Sequence, residues 1–448
     1  MAEIVILGAG LTGIATAYFL EQAGYTDYLL FEKEATIGGL CRSLSQDGFT
    51  FDYTGHLLHL NQPDLRSLVQ SLLPTGQFVE IARKALIYSH HVYTNYPYQI
   101  NLHGLPHEVI VDCIENFITR PRTATPPASF PEWVMSEFGS GFAQHFFFPY
   151  QAKIFDMNLT ELSSSWTQRF VPATSLRDML QGALGKPLNH IGYNAQFLYP
   201  QQGGIITWVE ALHKKLGRPA LCEYEAASID PLKKIVSFTN GHTEQYRQLV
   251  STMPLNQLLG QLMERTTTLH HALPYLRCNS VINFNLGIKR PSLLDAHWIY
   301  YPEQQYPFYR LGFPSQLTPA MAPAHHSSLA GECAFLQRDH AFIEHTTHTA
   351  IDATKKLFNI DRDEIATQAI ITIPHAYVIF DHWRDQHLTL VLKTLLDSYH
   401  IHSVGRYGAW KYASMQDALL DGKETAHKLI HVAQSRNGYD TTQLLLSK

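Results

Sequence analysis

Residues 3–13 read EIVILGAGLTG, an apolar strand that runs directly into Gly8, Gly10 and Gly13 at the spacing G-x-G-x-x-G. The helical run IATAYFLEQAG follows, and a second apolar stretch, YLLFE, ends on Glu32, 22 residues after Gly10. Strand, glycine turn, helix, strand and acidic residue in this order specify a βαβ unit that binds a dinucleotide. The glycines let the backbone approach a pyrophosphate, whose charge rests on the helix N-terminus, and the carboxylate of Glu32 accepts from a ribose. A chain that begins this way is expected to be α/β, with a Rossmann-type sheet.

The next residues narrow the cofactor. KEATIGGLCRS carries a second glycine pair, Gly38-Gly39, with Arg42 three residues later. A second backbone turn along a long ligand is the pattern of FAD proteins, so FAD is the expected cofactor.

Composition excludes other classes. The 448 residues hold 34 basic and 39 acidic side chains, a net charge of −5, which leaves no basic footprint for nucleic acid. Five scattered cysteines form no CxxC pair, so neither a disulfide framework nor a zinc site is expected. The chain enters its first strand without a basic leader, and no apolar run is long enough to cross a bilayer. The expectation is a soluble, cytoplasmic protein without a transmembrane segment; a homo-oligomer is compatible with it.

Further along, DLRSLVQSLL, EVIVDCIENFI and PEWVMSEFGSGFAQHFF show helical spacing, with a proline-rich loop at 119–131. GGIITWVEALHKKL reads as a glycine entry into a helix, and Asn240-Gly241 between alternating runs reads as a hairpin. The expected organisation is an FAD-binding domain built from 1–60, 203–256 and 396–435. It would hold a mainly helical substrate region at 61–202 and an inserted mixed α+β, sheet-containing substrate region at 257–395.

Histidine is abundant, with 25 residues, but no HExxH occurs. In FDYTGHLLHL (51–60), His56 and His59 are three apart in what reads as a strand, where such a pair faces opposite sides. No metal site is expected. His56, directly after Gly55, remains as a polar group where the backbone comes close to a ligand.

The opening motifs resemble the flavin amine oxidase and protoporphyrinogen oxidase superfamily. GFTFDYTGHLLH, VYTNYPYQINL, EWVMSEFGSGFAQHFFFPYQAKIF, WIYYPEQQYPFYR, LVSTMP and GRYGAWKYASMQD, in this order, are similar to UDP-galactopyranose mutases, the eukaryotic type more than the short bacterial type. The likeness implies an FAD-dependent mutase that interconverts pyranose and furanose forms of a UDP-sugar, UDP-galactose foremost, by attack of reduced flavin N5 on the anomeric carbon. NAD(P)H is the implied reductant. Residue by residue, it implies that His56 lies beside the flavin with Gly55, and that Tyr96 and Gln99 hold the uracil end with Tyr98 as a stacking surface. It also implies that Tyr300, Arg310, Tyr377 and Tyr412 grip the diphosphate, and that Arg406 returns to the flavin. His56 and Arg310 are the implied catalytic pair. Two departures stand out: Thr54-Gly55 replaces the family's two glycines, and ASMQD lacks an asparagine found there in the family. The alternatives are an oxidase or dehydrogenase of the amine oxidase type, and a non-catalytic flavoprotein of polysaccharide assembly.

Overall fold

The computed structural model describes residues 2–121, 127–186 and 195–436; positions 122–126 of the expected loop at 119–131 lie outside the described residues. The strand Ala2–Leu7 lies parallel between Tyr28–Phe31 and the later half of Thr243–Ser251, with Leu7 level with Phe31 and with Ser251. Ile401–Ser403 adds a further parallel strand, Ser403 level with Ser251. Four carboxyl ends thus share one edge of the sheet, where doubly wound folds place their ligands. The first half of Thr243–Ser251 turns back through Asn240-Gly241 onto Ile235–Phe238, which pairs antiparallel with Ala226–Asp230. This is a Rossmann-type α/β unit.

Helix Leu11–Gln22 covers the sheet and is buried over most of its length, including Ile14, Ala15, Ala17 and Leu20. Its small residues permit a tight second layer. A methyl group added to Gly422, in the C-terminal helix Met415–Arg436, would lie 2.6 Å from the Ala15 side chain. Helix Ile206–His213 adds Trp208, Val209 and Leu212 to the same core.

The second sheet has seven strands, in the order Ile365–Ile373, Ser280–Ile288, Ser327–Phe335, Arg310–Gly312, Trp298–Tyr300, Ala85–Ser89 and Val92–Asn95. Its neighbours are antiparallel except that Trp298–Tyr300 runs parallel to Ala85–Ser89. Segments 61–202 and 257–395 therefore share one continuous sheet. The remainder of 61–202 is largely helical, including His107–Thr119, Phe130–Glu137 and Phe148–Phe155. A capping box between Ser129 and Glu132 starts the second of these.

The stretch 53–60 is not the strand that its apolar character suggested. The strand Phe49–Asp52 ends at Asp52, and Thr54 adopts φ +68°. A left-handed residue cannot continue a pleated ladder. Beyond it, Leu58 forms only an isolated bridge to Leu198. Among the described residues no helix is long and apolar enough to cross a membrane, and no cluster of His, Cys, Asp and Glu could hold a metal ion.

Candidate functional site

The glycine turn is built for close approach. Gly8 has φ +99°, and a side chain there would meet Thr252 Oγ1 at 2.3 Å; one at Gly13 would strike the Gly8 carbonyl oxygen at 1.9 Å. Gly13 thus locks helix Leu11–Gln22 against the turn. That helix begins at Gly10 with no side-chain cap, and its first internal bond runs from Ile14 N–H to the Gly10 carbonyl. The preceding N–H groups have no intrahelical acceptor and are open to an anion. Gly38 and Gly39 close the turn from the other side through a bridge between Gly10 and Gly38. Arg42 Nε donates to the Gly39 carbonyl at 2.8 Å, and the guanidinium lies over the Tyr53 ring.

Glu32 is buried in this wall. Its Oε2 accepts from Ala9 N–H at 2.8 Å and its Oε1 from Glu34 N–H at 3.1 Å. A carboxylate has about four lone-pair sites, so capacity for ribose hydroxyls remains. Uncapped helix, glycine cradle and placed carboxylate together fit an FAD.

A single cavity of about 910 Å³ connects this cradle to the seven-stranded sheet. Its wall includes Gly8, Gly10, Glu32, Gly38, Gly39, Arg42, Gly55 and His56 on the dinucleotide side. Tyr300, Arg310, Tyr377, Arg406 and Tyr412 line the rest. Thr54 N–H donates to Asn283 Oδ1 at 3.3 Å, which ties the left-handed turn before Gly55 to the second sheet. A side chain added to Gly55 would come within 3.7 Å of the Arg310 guanidinium. His56 Nδ1 is buried without a hydrogen-bond partner. Burial first, then the charges of Arg406 and Arg310, push the His56 pKa down to about 4. At neutral pH it is an uncharged ring that offers one donor and one acceptor.

Arg310 stands opposite Glu332 on the neighbouring strand. Arg310 Nε donates to Glu332 Oε1 at 2.9 Å and a terminal nitrogen donates to Oε2 at 2.9 Å, a bidentate fork. Glu332 also accepts from the Tyr309 hydroxyl, which lies 3.5 Å from the Tyr377 hydroxyl. Burial raises the pKa of Tyr300, Tyr309 and Tyr412, so these phenols keep their protons. The Tyr412 hydroxyl donates to the Val378 carbonyl at 2.8 Å. Asp52, also in the wall, is pushed up to about 6 by burial, against hydrogen bonds from Ser43, Tyr199 and Ile205 N–H.

Three expected site residues stand elsewhere. Tyr98 is fully buried in the core and stacks on Phe146, with ring centroids 4.9 Å apart. Gln99 is buried, with its amide nitrogen donating to the Pro172 carbonyl. Neither lines the cavity: the Tyr98 ring faces Phe146 in the turn before helix Phe148–Phe155, and the Gln99 amide faces Pro172. Tyr96 packs against Tyr300 and under Arg83, one residue layer behind the wall. Sequence reasoning missed Glu332, Tyr309 and Asp52. The signal for Glu332 was a lone charge inside SSLAGECAF, a strand buried along almost all its length.

Comparison with known proteins agrees with this geometry. A profile described as an NAD(P)-binding Rossmann-like domain matches residues 6–72. A crystal structure of reduced UDP-galactopyranose mutase superposes with a TM-score of 0.88 at 26% identity, covering 96% of each chain. Over its whole length the chain is UDP-galactopyranose mutase-like. A protoporphyrinogen oxidase structure from Exiguobacterium sp. 255-15 shares the fold of this mutase-like chain, with a TM-score of 0.76 at 18% identity over 96% of this chain and 99% of that one. The mitochondrial protoporphyrinogen oxidase of Nicotiana tabacum is 36% identical over 70 residues, 16% of this chain and only 14% of that protein. The chain thus spans about a seventh of this curated relative's length.

Proposed function

We propose that this flavoprotein interconverts the pyranose and furanose forms of a UDP-sugar, UDP-galactose foremost, with reduced FAD. The observation that carries the reading is the continuity of one cavity from the FAD cradle to Arg310, Tyr300, Tyr377 and Tyr412. The whole-length likeness to a UDP-galactopyranose mutase supports it. FAD would be held by the Gly8–Gly13 turn, Glu32, Gly38, Gly39 and Arg42. Bound and reduced, it supplies a nucleophile for the anomeric carbon, so the sugar can leave its diphosphate and return without net oxidation.

The chain's own groups prepare that exchange. The N–H groups of Arg310 not engaged by Glu332 are donors for phosphate oxygens, in a plane that Glu332 fixes. The hydroxyls of Tyr300 and Tyr377 are donors that add no further desolvated charge, and the Tyr412 hydroxyl joins them only by turning from the Val378 carbonyl. His56, uncharged, holds or passes one proton at Nδ1 beside Gly55. Trp166, Phe155 and Phe170 line the same cavity and exclude water from it. NAD(P)H is the electron donor in this reading.

The test is to incubate the FAD-loaded protein, anaerobic and reduced with dithionite, with UDP-galactopyranose and to separate the nucleotide sugars by chromatography. Interconversion with reduced but not oxidised flavin is expected. Consumption of an electron acceptor in proportion to product would instead establish the oxidase reading.

A further inference from the structure

We propose that this chain pairs with a second copy of itself through the outer faces of helices His107–Thr119 and Leu176–Ala183. The first of these helices is apolar on two sides. Val109, Cys113 and Phe117, at i, i+4 and i+8, enter the core. Ile110, Val111, Ile114 and Ile118 form a second stripe along a shallow groove of about 280 Å³. Within it Val111 and Ile118 are each 59% exposed.

Helix Leu176–Ala183 packs against that helix and repeats the pattern. Met179 and Gly182 are buried, whereas Leu176, Leu180 and Leu184, four apart, are 37%, 43% and 84% exposed. A side chain on Gly182 would strike the Ile100 carbonyl oxygen at 1.8 Å, so the helix is seated closely and its leucines stay outside. Outward helix faces are ordinarily polar, and a single exposed leucine needs no explanation. Two apolar stripes on neighbouring helices mark an association surface.

Charge selects the occupant. The exposed ionic side chains beside the first stripe are acidic, Glu108 and Glu115. Those beside the second are basic, Arg177 and Lys186, while Asp178 is turned to Ser175 at the helix start. Among the described residues none of these four exposed charges forms an ion pair. In a twofold dimer the second helix of each copy lies on the first helix of the other. Acidic rim then meets basic rim at both contacts. Like helix on like helix would set acid against acid and base against base. The negative surface of a membrane is disfavoured by Glu108 and Glu115. The helices have 13 and 8 residues, so the shared face is smaller than an obligate interface. A dissociation constant on the order of micromolar is expected.

The experiment is sedimentation equilibrium of the FAD-loaded protein, with and without charge reversal. Glu108→Lys with Glu115→Lys makes both rims basic, and Arg177→Glu with Lys186→Glu makes both acidic. Each variant should retain FAD and self-associate at least about tenfold more weakly. An equimolar mixture of the two should recover dimers of near-parental affinity, because opposite rims then meet at both contacts. Leu180→Glu should weaken association without rescue by mixing. A parent protein that stays monomeric through the micromolar range overturns the proposal, whether or not it adsorbs to phosphatidylserine vesicles. So does a dimer that persists in both charge-reversed variants, or a mixture that associates no more tightly than either variant alone.

Discussion

Thr54→Gly should stabilise the protein. Thr54 sits at φ +68° between the strand Phe49–Asp52 and Gly55. A left-handed conformation costs an L-residue about 1–2 kcal/mol, and a β-branched side chain stands at the upper end. Glycine removes that cost but loosens the unfolded chain, which takes back about 0.4–1 kcal/mol. The hydrogen bond to Asn283 Oδ1 comes from the Thr54 backbone N–H and survives the change. The net gain is therefore about 1–1.5 kcal/mol. Urea unfolding of the FAD-loaded protein, followed by circular dichroism and by release of flavin fluorescence, should show the midpoint rising by on the order of 0.2 M. A destabilisation of more than about 0.5 kcal/mol would refute the reasoning. It would mean that threonine side-chain contacts outweigh the backbone strain. The same substitution restores the glycine pair of the mutase family, so FAD should load as before.

Other consequences are equally direct. Gly13→Ala drives a methyl group to 1.9 Å from the Gly8 carbonyl oxygen, so the variant should purify without FAD and melt at lower temperature. Glu32→Ala removes the acceptor for Ala9 N–H along with the expected ribose contact, and the FAD dissociation constant should rise at least about tenfold. Tyr98→Phe should leave KM for the nucleotide sugar unchanged, whereas Tyr98→Ala should cost about 3–5 kcal/mol of stability by opening a core cavity; a raised KM in Tyr98→Phe would put the ring back in the site. Burial depresses His56, His297 and His402 to about 4, so in the apoprotein each binds fewer protons folded than unfolded between about pH 4 and 6.5. Their contribution is present above that window and is lost as pH falls through it. Asp52, raised to about 6, acts in the opposite sense between its ordinary value near 3.8 and 6, but the three histidines outweigh it. Apoprotein unfolding should therefore show stability falling from pH 6.5 to 4, with a shallower fall in His297→Asn.

The parts of the fold legible in the sequence are those fixed by neighbours in the chain. The βαβ turn is local, since Gly8, Gly13 and Glu32 act within one supersecondary unit and their spacing is their geometry. Asn240-Gly241 likewise announced the strands Ile235–Phe238 and Thr243–Ser251. His56 was singled out because a polar ring follows a glycine, and it does line the cavity. What depends on distant pairing was not legible. The Arg310–Glu332 fork exists only because two strands 22 residues apart align in register. That Ala85–Ser89 would run parallel to Trp298–Tyr300 has no local signature. Aromatic spacing also cannot separate a pocket wall from a core. Tyr98 and Tyr300 look alike in sequence, and the turn and helix around Phe146 and Tyr150 decide which is sealed. The same holds for 53–60, where apolar content suggested a strand and one left-handed residue prevented it.

The most direct measurement is positional isotope exchange in UDP-galactose labelled with ¹⁸O at the oxygen that bridges the sugar to the diphosphate. If the anomeric carbon–oxygen bond breaks and re-forms in the cavity, the label scrambles into the non-bridging β-phosphate positions. Scrambling should occur with the reduced holoprotein, vanish with the oxidised one, and leave the flavin's redox state unchanged. A holoprotein that is reduced and binds UDP, yet returns its label unscrambled, would contradict the account.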